Sequence, residues 1–167
     1  MMGENIEELY NILDEEYELY EKLNKTASEK NEAIVENEID ELAEVVENED
    51  KLLKTIEELE EKRTKIIAEL AKKYDLKDDF QYSNLINNFS EEWQDKFSAV
   101  RENLLEVIDE IHEKNEENTM LLDEAIKLNN FSLNMLSKAV SPDDGTYDKK
   151  QTSKKGKQNY NIIDRQA

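Results

Sequence analysis

Asp109 and His112 come nearest to a pattern that could do chemistry. They are separated by three positions, the spacing that carboxylate and histidine ligands take in helical metal sites. Such a site needs several more inward-facing ligands, and His112 is the only histidine of the chain. We therefore interpret His112 as an ordinary helix-surface residue, and we expect no metal and no cofactor.

Other catalytic patterns are also missing from the sequence. The chain has no cysteine, no serine in a recognisable nucleophile motif and no glycine-rich phosphate loop. The runs of glutamate are interpreted as solvated helix faces. We therefore expect a protein that is not an enzyme.

The charge balance limits the possible partners. There are 22 basic and 42 acidic side chains, so the net charge is 22 − 42 = −20. This argues against nucleic acid and anionic membranes, because binding to phosphate needs clustered positive charge. No apolar run approaches the ~18 residues of a membrane span, and the acidic N-terminus does not resemble a signal peptide. We expect a cytoplasmic protein without membrane insertion.

The positions of the helix-breaking residues glycine and proline indicate where the helices lie. Residues 4–140 contain neither glycine nor proline, and no run alternates in the way of a strand. The pattern predicts an all-α fold, an elongated antiparallel three-helix coiled-coil bundle over residues 1–140. We expect long helices at about 4–36, 38–74 and 90–140, and a short helix near 83–88. Residues 141–167 are predicted to form a flexible basic tail.

Apolar residues recur at seven-residue spacing, which is typical of coiled-coil cores. Asn37 is predicted to be the N-cap of the second helix, and Ser90 that of the third. The row of the first helix consists of Ile6, Leu13, Tyr20, Ala27 and Ile34.

The third helix is longer than its partners. It has about 50 residues, whereas the first two have about 33 and 37, so it should extend beyond them by about 15 residues, roughly 126–140. Apolar residues of this segment spread over more than half of the helix circumference. A bare patch of this kind indicates an interaction site.

Two other interpretations of this surface stay open. A coiled-coil homodimer could bury it, or a more compact bundle could. Asn115 and Asn118 could serve only to fix the register of the helices. Asn129, Asn130 and Asn134 are less easily explained in this way, because they cluster where the helix should leave its partners.

The sequence resembles that of the FlgN-type flagellar export chaperones. The pattern N-x-x-N-x-x-L-L-x-x-x-I-x-x-N-x-x-x-L-x-x-L at Asn115–Leu136 resembles the C-terminal motif of this family. Residues 47–63 resemble its second helix, residues 90–97 the start of its third helix, and residues 161–167 its usual ending. Thr146–Asp148 resembles the family's tail tyrosine motif. The resemblance covers most of the chain in the same order.

This resemblance implies a function. Family members are cytosolic chaperones that bind a C-terminal amphipathic helix of the hook-associated (hook-filament junction) proteins. They prevent premature assembly and deliver these clients to the flagellar type III export gate. Tyr147 matches the residue that docks at the export gate. The matching client-binding positions are Asn115, Asn118, Leu121, Leu122, Ala125, Ile126, Asn129, Leu133 and Leu136.

A different class of function also fits the pattern. A structural coiled-coil protein would self-associate through the same face of the third helix. A chaperone for another secreted client has the same sequence features. We expect the free protein to be a monomer or a weak dimer.

Overall fold

The computed structural model describes residues 2–140, and these form four α-helices. They are α1 (Met2–Val35), α2 (Ile39–Lys73), α3 (Tyr82–Ile86) and α4 (Glu91–Val140). No strand occurs among the described residues. The all-α fold class is confirmed, and the third long helix of the sequence analysis is α4. The tail of residues 141–167 lies outside the described residues.

The helices divide between two compact units. Among the described residues, one contains the part of α1 up to Thr26 together with Val46–Glu110, and the other contains Ala27–Val45 and α4 from Ile111 onward. The long helices α1, α2 and α4 each contribute a segment to both units. The first unit also contains α3.

The prediction that Asn37 caps the second helix is wrong, because Asn37 ends the first one. Its φ is 57°, in the left-handed region. The Glu38 amide donates to the Ala33 carbonyl over 2.9 Å, and the Asn37 amide donates to that of Ile34 over 3.2 Å. This is the Schellman arrangement that closes a helix. Asparagine suits the position because its short polar side chain tolerates positive φ.

The predicted cap of the last helix is confirmed. The Ser90 hydroxyl accepts a long hydrogen bond of 3.4 Å from the Trp93 amide, and the Ser90 carbonyl accepts one from the Gln94 amide over 2.9 Å. Glu91 and Glu92 occupy the first turn of α4, where the helix dipole favours negative charge. Ser90 therefore fixes where α4 begins.

The core of the first unit is apolar and partly aromatic. Tyr10 contacts Trp93 and Phe97, each with ring centroids 5.8 Å apart, and Phe89 lies 5.3 Å from Phe97. Leu85 from the short helix α3 is fully buried. The seven-residue row in α1 is buried as the spacing predicts, with Ile6, Leu13 and Tyr20 in this unit and Ala27 and Ile34 in the second unit.

One glutamate of the predicted solvated faces lies in this core instead. Glu16 is 1% exposed, and the Arg63 Nη1 donates a 2.6 Å hydrogen bond to its Oε2. Its Oε1 is buried without a hydrogen-bond partner among the described residues. Burial raises the pKa of Glu16 to about 7, although the Arg63 charge opposes the shift. The solvated-face interpretation was therefore wrong for Glu16, and also for the buried Glu49.

Candidate binding surface

The orientation of α4 relative to α1 sets where its surface becomes free. In the first unit, Tyr10 contacts Trp93, and the Asn24 amide donates to Glu110 over 2.8 Å. Later residues of α1 thus lie beside later residues of α4, and the two helices are parallel. In the second unit, the Asn118 Nδ2 donates to the Ala27 carbonyl over 2.9 Å.

This hydrogen bond shows which residue of α4 lies beside the end of α1. Val35, the last residue of α1, lies eight residues after Ala27. An equal advance from Asn118 reaches Ile126, because both helices rise about 1.5 Å per residue. The remaining 14 residues of α4 extend about 21 Å beyond the end of α1. This agrees with the predicted overhang of residues 126–140.

Exposure changes at the same place. Asn118 is 2% exposed, and no described residue of α4 after it is buried. Large apolar side chains follow at high exposure, among them Leu133 at 62% and Leu136 at 63%. A row of such residues on a helix exceeds the scattered apolar exposure of an ordinary surface. The segment therefore has the character of an interaction surface.

The residues that the sequence predicts to bind a client lie on one side of α4, which we call the inner face. This side continues the buried row of Val107 and Ile111. Its exposure increases along the helix. Asn118 is buried, Asn115, Leu121, Leu122, Ala125 and Ile126 are partly exposed, and Asn129, Leu133 and Leu136 are exposed.

Asn118 differs from the other predicted residues. Its amide nitrogen is engaged by Ala27, and its Oδ1 is buried without a hydrogen-bond partner among the described residues. In this structure it joins α4 to α1, which is the register role left open for the asparagines. Asn129 lies on the same face but is exposed.

A second group of exposed apolar residues lies on α4, and the sequence pattern does not distinguish it from the first. Met120, Leu128, Phe131 and Met135 are 57–65% exposed. At 100° per residue they lie within about 80° of arc, on the side of α4 away from the inner face. We call them the outer stripe. On the helical wheel the two groups merge into one wide arc, and they are distinguished because the inner face continues the buried residues Ile111 and Asn118.

Two features are absent from the described part of the chain. Residues 2–140 contain no group of three or more His, Asp or Glu residues that could hold a metal ion. None of the described helices has both the length and the apolar content needed to cross a membrane.

A family comparison bears on this surface. The family model described as FlgN protein matches residues 1–155. This span contains all four helices and the whole α4 surface. The chain belongs to the FlgN family. Members of the FlgN family are flagellar export chaperones, so the exposed end of α4 lies in a chaperone. No curated protein and no solved structure matches the chain.

The FlgN match also includes Tyr147, the predicted docking residue, within residues 1–155. Tyr147 lies outside the described residues, and its role stays a prediction. The inner face is thus the one predicted site of this FlgN-family chain that has a described geometry.

Proposed function

We propose that this FlgN-family chain binds the C-terminal amphipathic helix of flagellar hook-associated (hook-filament junction) proteins on the inner face of α4. The client's apolar side would pack on Leu122, Ile126, Leu133 and Leu136, with Leu121 and Ala125 at the margin. Asn115 and Asn129 complete the proposed site, and Asn118, buried against α1 beneath this face, fixes the helix register. Binding would cover the client segment and prevent its premature assembly.

The observation that carries this proposal is the continuity of the inner face. The same side of α4 is core at Val107 and Ile111, and it is 62–63% exposed at Leu133 and Leu136. A helix of the client would occupy the place that α1 leaves empty after Val35. This is the helix-in-groove mode, in which apolar residues of an amphipathic helix anchor it to a partner.

The polar residues of this segment favour a surface that functions while uncovered. Asn129, Asn130 and Asn134 are interspersed among its leucines. Their amides are hydrated when the face is free and can hydrogen-bond to a bound segment. A face of leucines alone would present a continuous apolar patch and a risk of aggregation.

The proposal includes delivery of the client to the flagellar type III export gate in the cytoplasm. The family membership supports a role in flagellar export. Tyr147 is the proposed docking residue, and neither nucleic acid nor membrane insertion is part of the proposal. The chain would act without catalysis and without a cofactor.

The Leu133→Asp variant tests the proposed site. We expect loss of binding to purified hook-filament junction proteins, measured by calorimetry, because a buried carboxylate without a partner opposes association. Phe131→Asp is the matched control. Phe131 is also 62% exposed and lies two residues away on the outer stripe, so this variant should keep its affinity for the client.

Circular dichroism should show equal helix content for both variants, since neither residue is buried. Client binding that survives Leu133→Asp would contradict the inner-face site. Light scattering separates the rival class of function. A stable dimer that is lost with Leu133→Asp and does not bind junction proteins would favour a structural coiled-coil protein.

A second experiment tests delivery apart from binding. Deletion of residues 141–167 and the point change Tyr147→Ala should both leave client affinity unchanged and reduce the export of junction proteins in flagellated cells. Unchanged export in both variants would contradict a docking role for the tail.

A further inference from the structure

The outer stripe remains unexplained by a client on the inner face. Met120, Leu128, Phe131 and Met135 are exposed by 64%, 65%, 62% and 57% of their surface. They extend over about four turns of α4, from a point where α1 still accompanies the helix to near its end. A client helix on the inner face would leave all four in water.

The charges beside the outer stripe change sign along the helix. Residues 111–124 contain five acidic residues and one lysine, whereas residues 125–140 contain two lysines and no acidic residue. Glu117 and Glu124 lie in the first group, and Lys127 and Lys138 in the second. On the helical wheel these four residues flank or interrupt the outer stripe. When two copies of this stripe run antiparallel, the acidic residues of one copy therefore face the lysines of the other.

We propose that two copies of this chain pair antiparallel through the outer stripe of α4. A two-fold axis between Lys127 and Leu128 places Met120 opposite the partner's Met135, because both lie at equal distances from the axis. Phe131 then lies opposite the partner's Glu124, whose methylene groups can cover its ring. The contact is isologous, with the same patch used on both copies.

The same axis pairs the charges. Glu117 lies opposite the partner's Lys138, and Glu124 lies one helical turn from the partner's Lys127. Symmetry repeats each pair. A parallel arrangement would instead set Glu117 against Glu117 and Lys138 against Lys138, and like charges in an interface oppose association. The charge pattern therefore favours the antiparallel arrangement, and the facing of Met120 and Met135 sets the proposed register.

The size of the contact indicates a weak dimer. A pair of helices that meet over about four turns falls among the small interfaces, below about 1,200 Å² of total buried surface. The dimer should therefore dissociate on dilution. It uses the outer stripe, so it leaves the inner face free. The inference does not rest on the proposed client site, and either can fail alone.

Sedimentation velocity of the full-length protein at roughly 5 to 200 µM provides the first test. We expect a concentration-dependent shift from monomer to dimer. Phe131→Asp should raise the dissociation constant by at least about tenfold, because it puts a charge into the centre of the contact. Leu133→Asp carries the same charge change at the same exposure on the inner face, and it should leave the dimer intact.

Cysteine pairing tests the register, since the chain has no cysteine of its own. The double variant Met120→Cys with Met135→Cys should form a disulfide-linked dimer on mild oxidation. Each single variant should stay largely unlinked, because its two copies of the cysteine would be about 22 Å apart across the axis. A mixture of the two single variants should form cross-linked heterodimers.

A charge exchange tests the ion pairs. Glu117→Lys and Lys138→Glu should each weaken the dimer, and the double variant should restore it to near the original affinity.

Several results would overturn the inference. One is a chain that stays monomeric up to about 200 µM. Another is a dimer that Leu133→Asp dissociates and Phe131→Asp does not. Efficient cross-linking of the single cysteine variants would exclude this register. Loss of junction-protein binding in Phe131→Asp, without any dimer in the original chain, would assign the outer stripe to the client.

Discussion

The two halves of α4 use apolar residues in opposite ways. Residues 91–118 contain nine apolar residues among 28, and most of the large ones are buried, including Phe97, Val100 and Leu104. Residues 119–140 contain 12 among 22, yet no described residue of this half is buried. Apolar content alone thus does not decide burial. The length of the neighbouring helices does, because α1 ends at Val35 and α2 begins at Ile39.

The largest expected effect on stability comes from replacing a phenylalanine by alanine in each half of α4. Phe97 is 1% exposed and Phe131 is 62% exposed. Phe97→Ala should lower the free energy of unfolding by about 3–5 kcal/mol, because it leaves a cavity in an aromatic core. Phe131→Ala should change it by less than about 0.5 kcal/mol. Urea unfolding followed by circular dichroism measures both.

Dilute protein is needed for this comparison, so that self-association does not add to the stability of the original chain. Similar losses in the two variants would mean that the second half of α4 is packed within its own chain. That result would remove the basis for a free surface.

The next effect concerns the buried carboxylate of the first unit. Glu16 has its pKa raised from 4.5 to about 7, first by burial, while Arg63 lowers it and Glu60 raises it. The folded state therefore holds the Glu16 proton in a range where the unfolded chain has lost it. Its contribution to stability is fully present below pH 4.5 and is lost as the pH rises to about 7.

The Glu16→Gln variant should remove this dependence. The slope attributable to Glu16 is at most about 1.4 kcal/mol per pH unit. Unfolding at several pH values between 5 and 8 should show a smaller slope in the variant. Glu15→Gln is the matched control, because Glu15 is an exposed neighbour in the same helix. Equal slopes in all three proteins would contradict a proton held on Glu16.

Much of the fold follows from the sequence for simple physical reasons. Between Glu4 and Val140 the chain has no glycine or proline, so turns occur only at a few weak points. The seven-residue rows predict which face of each long helix is buried, and Ile6, Leu13 and Tyr20 are buried accordingly. The overhang followed from helix length alone, since the rise per residue is constant.

Other features depend on three-dimensional neighbours. Glu16 lies in an acidic run beside exposed Glu15, and only its seven-residue spacing from Leu9 and Leu23 places it on the buried side. Its burial depends on Arg63, 47 residues away. Asn37 fits both a helix N-cap and a left-handed helix end, since the residue is common in both. Asn118 lies seven residues after Ile111, so the spacing already places it on the core side of α4, and the structure adds its hydrogen bond to the Ala27 carbonyl.

A smaller effect compares two asparagines on the inner face. Asn118 is buried and donates to the Ala27 carbonyl, while Asn129 is exposed. Asn118→Ala should lower the free energy of unfolding by about 1 kcal/mol through loss of this hydrogen bond. Asn129→Ala should have almost no effect on stability. Urea unfolding of both variants measures the difference, and equal losses would deny Asn118 a distinct role at the helix contact.

The smallest effect concerns the turn at which α1 ends, beyond which α1 no longer packs on α4. Asn37 has a φ of 57°, which glycine adopts without strain. Asn37→Gly should raise the free energy of unfolding by about 0.5 kcal/mol, a gain reduced by the greater freedom of glycine in the unfolded chain. Asn31→Gly, in the interior of α1, is the matched control and should lower stability by about 0.3–0.5 kcal/mol. Opposite signs, measured by thermal unfolding, would support a left-handed helix end at Asn37. A loss at both positions would instead mean that α1 continues past Val35, and a longer α1 would cover the residues of α4 that we propose as the client site.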